Sequence, residues 1–289
     1  MLGILFALGA LLFWAFGDFY IQKTTRKIGI WKSLFFIALI GTLAIYPFVT
    51  GDIMVALQDP RQLLIVTLAS LAMFFAALFD FEALKEGKFA IIEPILGIEL
   101  PFTVALSVFF LQEQLSLPQI SFIIAVFVGI VLAVTIHHKH LHYHKRILEK
   151  GVILAGLGAL GMGLTNFLTG VAAQEVSPLV AYWFICLETL LLCLVYLIWT
   201  KEAQTLISDF KKHTKLIISE SILDNLAWIC FAYAVIYIPI SIATTISESY
   251  IALSVLLGLF INREKLKKHQ KVGVALAVLG VILLAAITP

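Results

Sequence analysis

Ten long apolar segments decide what this chain of 289 residues can fold into. Each approaches or reaches the roughly 20 apolar residues that an α-helix needs to cross a bilayer. The segments cover residues 2–20, 33–50, 63–83, 89–111, 119–136, 151–173, 178–199, 216–235, 238–261 and 272–288. Because these runs are continuous rather than alternating, the sequence predicts an all-α integral membrane protein with ten transmembrane helices and not a β-barrel.

Lysine and arginine occur almost entirely in alternate loops. The loops that follow the first, third, fifth, seventh and ninth segments hold 19 of the 20 basic residues, and Arg61 is the exception. A different number of spans would destroy this alternation. Because basic loops stay on the cytoplasmic side, we expect a multi-pass protein of the cell membrane, with the odd-numbered loops in the cytoplasm and both termini outside.

The second half of the chain repeats patterns of the first half at matching places. The repeated pairs are Asp18 with Asn166, Glu113 with Glu264, Leu115 with Leu266, Gln119 with Gln270 and Gly129 with Gly280. Five spans per half is an odd number, so the halves must insert in opposite orientations, as in many transporters with a site at the repeat interface. We therefore predict two inverted five-helix repeats, 1–136 and 151–289, joined by a basic, histidine-rich linker at 137–150.

Two polar patterns resemble the drug/metabolite transporter superfamily, in its ten-span group with two EamA-type repeats. They are Glu113-Gln114-Leu115…Gln119…Gly129 and Arg263-Glu264-Lys265-Leu266…Gln270…Gly280. The resemblance covers nearly the whole chain and implies secondary transport of a small molecule. It leaves the substrate open among amino acids, other metabolites, drugs and nucleotide sugars. Studied members of that group keep both termini in the cytoplasm, which is opposite to the orientation that the basic loops indicate here.

Several acidic residues lie inside the predicted spans, where a charged side chain costs about 2.5–3.5 kcal/mol on insertion scales. The central ones are Glu99, Glu188, Asp224 and Glu248; Glu93 lies nearer the start of its span, and Asp18, Asp80 and Glu82 lie nearer span ends. The span cores contain no lysine or arginine. Such acids must be protonated or meet a visiting cation, which favours proton coupling or a cationic or zwitterionic substrate. Phosphorylated substrates would instead need arginine or lysine clamps.

Other polar and aromatic side chains accompany these acids. Ser241, Thr244 and Thr245 share a helix face with Glu248 by their spacing. We expect the substrate or proton site to be drawn from Glu248, Glu99, Asp224, Glu93, Glu188, Asn166, Trp14, Trp228, Tyr250 and Ser247. Packing or an interhelical hydrogen bond is an equally open interpretation for the uncharged members. Glu113 and Glu264 lie at helix ends, so we expect them to form caps or salt bridges rather than to contact substrate.

The linker contains a cluster of histidines, His137, His138, His140, His142 and His144. A divalent metal site is one interpretation. We favour a solvated linker, because no nearby cysteine or aspartate completes a metal site and the basic side chains suit anionic lipid headgroups.

These observations together predict a carrier of a small amine-bearing, zwitterionic or organic-cation substrate, coupled to protons and working by alternating access. Its expected partners are the small-molecule substrate, protons and membrane lipid, without nucleic acid or cofactor. A divalent metal-cation carrier, a membrane enzyme and a non-transporting subunit remain as alternatives, although HExxH, GxSxG and P-loop motifs are absent. The glycine-rich sixth span leaves a homodimer open.

Overall fold

The computed structural model describes residues 1–86, 95–135, 145–253 and 267–288. The regular structure of these residues is helical. In chain order the helices are α1 (Leu2–Ile28), α2 (Ile30–Val49), α3 (Ile53–Gln58), α4 (Pro60–Glu86), α5 (Glu99–Phe110), α6 (Leu117–Val134), α7 (Lys145–Glu175), α8 (Pro178–Trp199), α9 (Leu206–Ala234), α10 (Ile240–Glu248) and α11 (Lys268–Ile287), with a 3-10 turn at Glu202–Thr205 before α9.

The helices confirm the predicted all-α membrane fold. Within the described ranges, eight helices are long and apolar enough to cross a bilayer. Two shorter apolar helices, Glu99–Phe110 and Ile240–Leu253, occupy the places of the fourth and ninth predicted spans. The ten predicted spans therefore correspond to eight long helices and two shorter ones, and α3 is an additional short helix between the second and third spans.

Some helices extend further than the hydropathy of the sequence predicts. α1 continues to Ile28 instead of ending near residue 20, and α9 begins at Leu206, well before residue 216, with a kink at His213 where the backbone departs from helical geometry. Both extensions carry basic side chains, such as Lys23 and Lys211. Long basic side chains can reach the headgroup region while their backbone remains helical, so a limit set by apolar residues alone underestimates the helix.

Helix packing follows an internal two-fold pattern. α1 packs along α9, and α4 packs along α7; these pairs are counterparts when the first five spans are exchanged with the last five. In the same way, α5 packs on α7 as α10 packs on α1. The central pairs α2 with α8 and α6 with α11 also join the two halves. The pattern agrees with a fold built from two five-helix repeats, whereas the exact limits of the halves stay a prediction.

The repeated glutamines have the same structural role in both halves. The side-chain oxygen of Gln119 accepts a hydrogen bond from the backbone N–H of Ser116 at 2.8 Å, at the start of α6. The side-chain oxygen of Gln270 accepts one from the backbone N–H of Lys267 at 3.0 Å, at the start of α11. Each glutamine therefore satisfies a backbone donor that the helix itself leaves unpaired.

Ion pairs among the described residues join the halves at opposite ends of the bundle. Lys32, at the start of α2, contacts Asp209 of α9 at 2.9 Å and Glu202 of the 3-10 turn at 3.8 Å. Arg61, at the start of α4, contacts Glu175 at the end of α7 at 2.9 Å. We call the end that contains Lys32 the basic end, because the loops on that side hold 19 of the 20 basic residues.

Candidate functional site

Two acids lie where the shorter spans are interrupted. Glu248 is the last residue of α10, and the chain turns at Ser249 before it resumes a helical course. Glu99 begins α5 directly after a turn at Gly97 and Ile98. Interrupted helices at membrane depth are tolerated where they are buried in protein or line a cavity. The C-terminal end of α10 also carries partial negative charge, so Glu248 and the backbone together favour a positive species.

Glu99 and Glu248 meet at this interruption. Their carboxyl groups lie within hydrogen-bonding reach of each other, and the amide nitrogen of Asn166 donates to an oxygen of Glu248 at 3.1 Å. Both acids are buried, with only 8% of Glu99 and 4% of Glu248 exposed. Two carboxylates this close repel each other when both are charged. The pair is therefore suited to holding a proton or a cation between its members.

Two further acids surround the pair. Asp18 of α1 and Asp80 of α4 both lie within electrostatic range of Glu248, and Asp18 also forms a hydrogen bond with Tyr250. Unlike the glutamates, both aspartates are partly exposed. The charged groups that act on these four side chains within the described ranges are other acids. We call Asp18, Asp80, Glu99 and Glu248 the carboxyl cluster.

An aromatic group adjoins the carboxyl cluster. The ring of Trp14 meets Trp228 edge-on at 5.0 Å between centroids and lies 5.9 Å from Tyr250. Trp14 precedes Asp18 by one turn of α1, and Tyr250 follows Glu248 closely along the chain. Aromatic faces attract cations, most strongly when desolvated. A carboxyl cluster beside buried aromatic rings is therefore suited to an organic cation.

The remaining candidates from the sequence lie at different distances from this site. Asp224 of α9 is partly exposed and within electrostatic range of Asp18. Ser247 is buried next to Glu248, and its hydroxyl donates to the backbone oxygen of Thr244 at 3.2 Å.

Glu188 is not brought into the carboxyl cluster. It is partly exposed on α8 and accepts a hydrogen bond from the hydroxyl of Thr67 at 3.0 Å. Glu93 and the histidines of the linker, His137, His138, His140, His142 and His144, lie outside the described residues. Within the described ranges, no group of three or more His, Cys, Asp or Glu side chains could hold a metal ion.

Glu113 has the capping role that its position predicts. Its carboxylate accepts hydrogen bonds from the backbone N–H groups of Ile240 at 2.6 Å and Ser241 at 3.1 Å. These donors are at the N-terminus of α10, where a negative charge is favourable. Glu113, in the connection between α5 and α6, therefore ties the first repeat to the helix that carries Glu248. Its repeat partner Glu264 lies outside the described residues.

Sequence reasoning left two members of the carboxyl cluster out of the candidate list. Asp18 and Asp80 lie close to span ends, and the candidates were drawn mainly from the more central acids. The internal repeat could have identified Asp18, because its repeat partner Asn166 was already a candidate. Asn166 donates a hydrogen bond to Glu248 in the structure. For Asp80 the sequence contained no such signal. Its position depends on how closely α7 approaches α4 at Gly158, where an added Cβ would lie 3.1 Å from the Asp80 backbone nitrogen.

Comparisons with known proteins identify a family and a shared fold. A model of the EamA-like transporter family matches residues 1–135 and 149–286. An uncharacterized protein of Methanocaldococcus jannaschii is 26% identical over 132 residues, which are 46% of this chain and 93% of that protein; it is thus about half as long. A crystal structure of a protein aligns with a TM-score of 0.76 over 99% of this chain and 96% of that chain, at 16% identity, which shows a shared fold.

Proposed function

Since the chain belongs to the EamA-like transporter family of membrane transporters, we propose that it exchanges a small amine-bearing metabolite or organic cation for protons. The family match supports transport of a solute across the membrane. The substrate class and the coupling to protons are inferred from the chemistry of the carboxyl cluster. The proposed chemistry is binding and release, without covalent conversion of the substrate.

The contact between Glu99 and Glu248 is the observation that carries this proposal. The two carboxyl groups repel each other unless a proton or a cation lies between them, and the charged groups acting on them from the described residues are acids. A substrate with a positive charge would satisfy the same two carboxylates once the proton leaves. Proton and substrate then compete for one site, and competition for one site produces exchange in opposite directions.

The aromatic group supports the choice of an organic cation over a bare metal ion. Trp14, Trp228 and Tyr250 present ring surface next to Asp18 and Glu248. Ring surface offers cation–π attraction and apolar contact to an alkyl-ammonium group, whereas a divalent metal ion prefers several oxygen or nitrogen ligands.

Alternating access would come from movement of one repeat against the other. α5 and α10, which carry Glu99 and Glu248, belong to different halves and meet at their interface. A site at the interface of two inverted repeats can open to either side when the halves rock. The ion pairs Lys32–Asp209 and Arg61–Glu175 join the halves at opposite ends and would have to separate in turn.

Uptake into proteoliposomes tests the substrate class. Radiolabelled choline, putrescine and lysine are compared with radioactive Mn²⁺ and Zn²⁺ and with a sugar phosphate, with and without an imposed pH gradient. We expect uptake of at least one organic cation that increases when the interior is more acidic than the medium. Uptake of metal ions without organic cations would instead support the metal-carrier alternative. Liposomes with the Glu99→Gln/Glu248→Gln double variant are the control for leakage.

A further inference from the structure

Glu220 is a buried acid outside the carboxyl cluster. It lies on α9, one helical turn before Asp224, and its side chain is 0% exposed. One carboxyl oxygen accepts a hydrogen bond from the hydroxyl of Ser33 at 2.9 Å. The other oxygen has no hydrogen-bond partner among the described residues. A buried carboxyl with a free oxygen is costly for folding alone, which points to a use for that oxygen.

The surroundings of Glu220 contain hydroxyl groups and one acid. α9 packs against α1, α2 and α8. Thr24 of α1 and Ser33 of α2 face the carboxyl with neutral hydroxyls, and Asp224 on its own helix is the charged group that acts on it from the described residues. Ion pairing within that part of the chain therefore does not explain why a carboxyl is placed here.

Acids connect Glu220 to the carboxyl cluster in a series. Glu220 and Asp224 lie one turn apart on α9 and interact electrostatically. Asp224 faces α1 next to Asp18, because a Cβ added to Gly17 would lie 3.8 Å from the Asp224 backbone nitrogen. Asp18 in turn is within electrostatic range of Glu248, which lies against Glu99. Residues four apart on a helix are neighbours, with about 5–6 Å between their Cβ atoms. The series thus leads from the middle of the bundle toward the basic end.

A cleft lies between α1 and α9 at the basic end. It has a volume of about 500 Å³ and is lined by Tyr20 of α1 and by α9 residues that include Lys215 and Ser219. Ser219 directly precedes Glu220, which does not line the cleft itself, and the backbone oxygen of Tyr20 accepts a hydrogen bond from the Thr24 hydroxyl at 2.9 Å. One residue therefore separates the cleft from Glu220, the outer end of the acid series.

We propose that Glu220 is a proton-relay residue that connects the carboxyl cluster to the basic end of the bundle. Its carboxylate takes a proton from water in the cleft and becomes a carboxylic acid. It then passes the proton to the Asp224 carboxylate and returns to its charged form, without any transfer of electrons. Chains of intramembrane acids serve as proton relays in pumps and transporters. The inference rests on the proposed coupling to protons.

Time-resolved infrared spectroscopy tests the relay without a transported substrate. Purified protein in liposomes receives protons from a photolysed caged acid, and the carboxylic C=O band reports when the acids become protonated. We expect Glu220→Gln to slow the rise of the remaining band by about tenfold or more, as for loss of a proton-transfer group. Glu220→Asp keeps an acid and should restore most of the rate. An unchanged rate in Glu220→Gln would overturn the relay.

Two further variants complete the test, one as a control and one as a replacement if Glu220→Gln does not fold. Asp52→Asn removes an exposed acid at the opposite end that makes no capping hydrogen bond, and this variant should protonate at the wild-type rate. If Glu220→Gln does not fold, Asp224→Asn replaces it by removing the acid that receives the proton from Glu220, and an unchanged rate there would also contradict the relay. Since no substrate is needed, failure of amine uptake leaves this result standing. If the wild type exchanges cations for protons and Glu220→Gln becomes protonated at the wild-type rate, the relay is rejected while the proposed function stands.

Discussion

At the scale of single residues, the amide of Asn166 determines how Glu248 can act. It donates to one carboxyl oxygen of Glu248 at 3.1 Å, while the same carboxyl bonds to Glu99. The amide is 2% exposed, so water does not readily replace it. Asn166 therefore holds the pair of glutamates in position without adding a charge, which a lysine or arginine at the same place would do.

Replacing Asn166 with alanine should weaken both stability and transport. The variant leaves a buried carboxyl oxygen without its donor, which costs about 1–3 kcal/mol. Denaturant unfolding in detergent measures the loss, and organic-cation uptake should decrease in parallel. Gln174→Ala is the matched control, because Gln174 is an exposed amide on the same helix that donates to the Val235 backbone oxygen. Equal losses for the two variants would contradict a special role for Asn166.

At the scale of helices, Glu113 and the paired glycines explain why the repeated motif is needed. Glu113 caps α10 from the neighbouring connection. The motif glycines Gly129 and Gly280 lie where α6 and α11 pack together. An added Cβ would be 2.5 Å from the Ala277 backbone nitrogen at Gly129 and 2.7 Å from a side-chain carbon of Val126 at Gly280. Contact this close between backbones excludes any larger residue. The motif therefore encodes the packing that surrounds the site and contributes no ligand to it.

Removal of the Glu113 cap should destabilise α10. Glu113→Ala leaves two backbone donors unpaired and should lower the free energy of unfolding by about 1–2 kcal/mol. Glu113→Gln retains one acceptor oxygen, so its free energy of unfolding should lie between those of the alanine variant and the wild type. Thermal unfolding, followed by the shift in tryptophan fluorescence, ranks the stability of the three proteins. Gln114→Ala, an exposed neighbour, should match the wild type; the account of the cap fails if Gln114→Ala and Glu113→Ala lose the same stability.

One added methyl group should have opposite effects on stability at two glycines, Gly273 on α11 and Gly156 on α7. Gly273→Ala places a Cβ 2.5 Å from the Ala133 backbone nitrogen and should cost about 1–3 kcal/mol from overpacking. At Gly156, a Cβ would meet nothing within 4 Å, so Gly156→Ala should be neutral or stabilise the helix by about 0.5–1 kcal/mol. Chemical denaturation of both variants measures the difference. Equal stability of the two would show that the α6–α11 crossing is not tight.

Hydropathy and the repeat predicted the helices well, because span length and the basic loops are direct consequences of the bilayer. Glu99, Glu248 and Asn166 were also found, since acids and amides in apolar runs are conspicuous. The helix interruptions at Glu99 and Glu248 were not predicted, because they depend on how α5 and α10 pack against the other half. Glu220 was missed for a similar reason: its burial depends on contacts with α1 and α2, which sequence spacing along α9 does not report.

At the scale of the whole molecule, the distribution of charge separates two ends of one bundle. The loops at the basic end hold 19 of the 20 lysine and arginine residues. We propose that this end faces the cytoplasm and that both termini lie outside, opposite to the arrangement that the family resemblance implies. Each predicted half has an odd number of spans, so the two halves are inverted relative to each other. Reversing the orientation of the whole chain in the membrane would therefore change which side each end of the site faces. The chemistry of the site would stay the same.

Labelling in intact cells tests this orientation. Asp52→Cys places a thiol in the exposed connection between α2 and α4, and Gln204→Cys places one at the basic end. Of the native cysteines, Cys186 and Cys193 are buried and Cys230 is partly buried, so the unsubstituted protein is the background control. A membrane-impermeant maleimide should label Asp52→Cys and spare Gln204→Cys until the cells are broken. The reverse pattern would place both termini in the cytoplasm.

The pH inside proteoliposomes tests the central role of the carboxyl cluster most directly. An organic cation that the wild-type protein takes up is added outside, and a trapped dye follows the interior. The account predicts that protons leave as the cation enters, so the interior becomes more alkaline. Asp52→Asn, which changes an exposed acid away from the site, should behave in the same way, whereas Glu248→Gln should fold normally and abolish the pH change. Cation uptake without a pH change in the wild type, or an undiminished pH change in Glu248→Gln, would contradict the account.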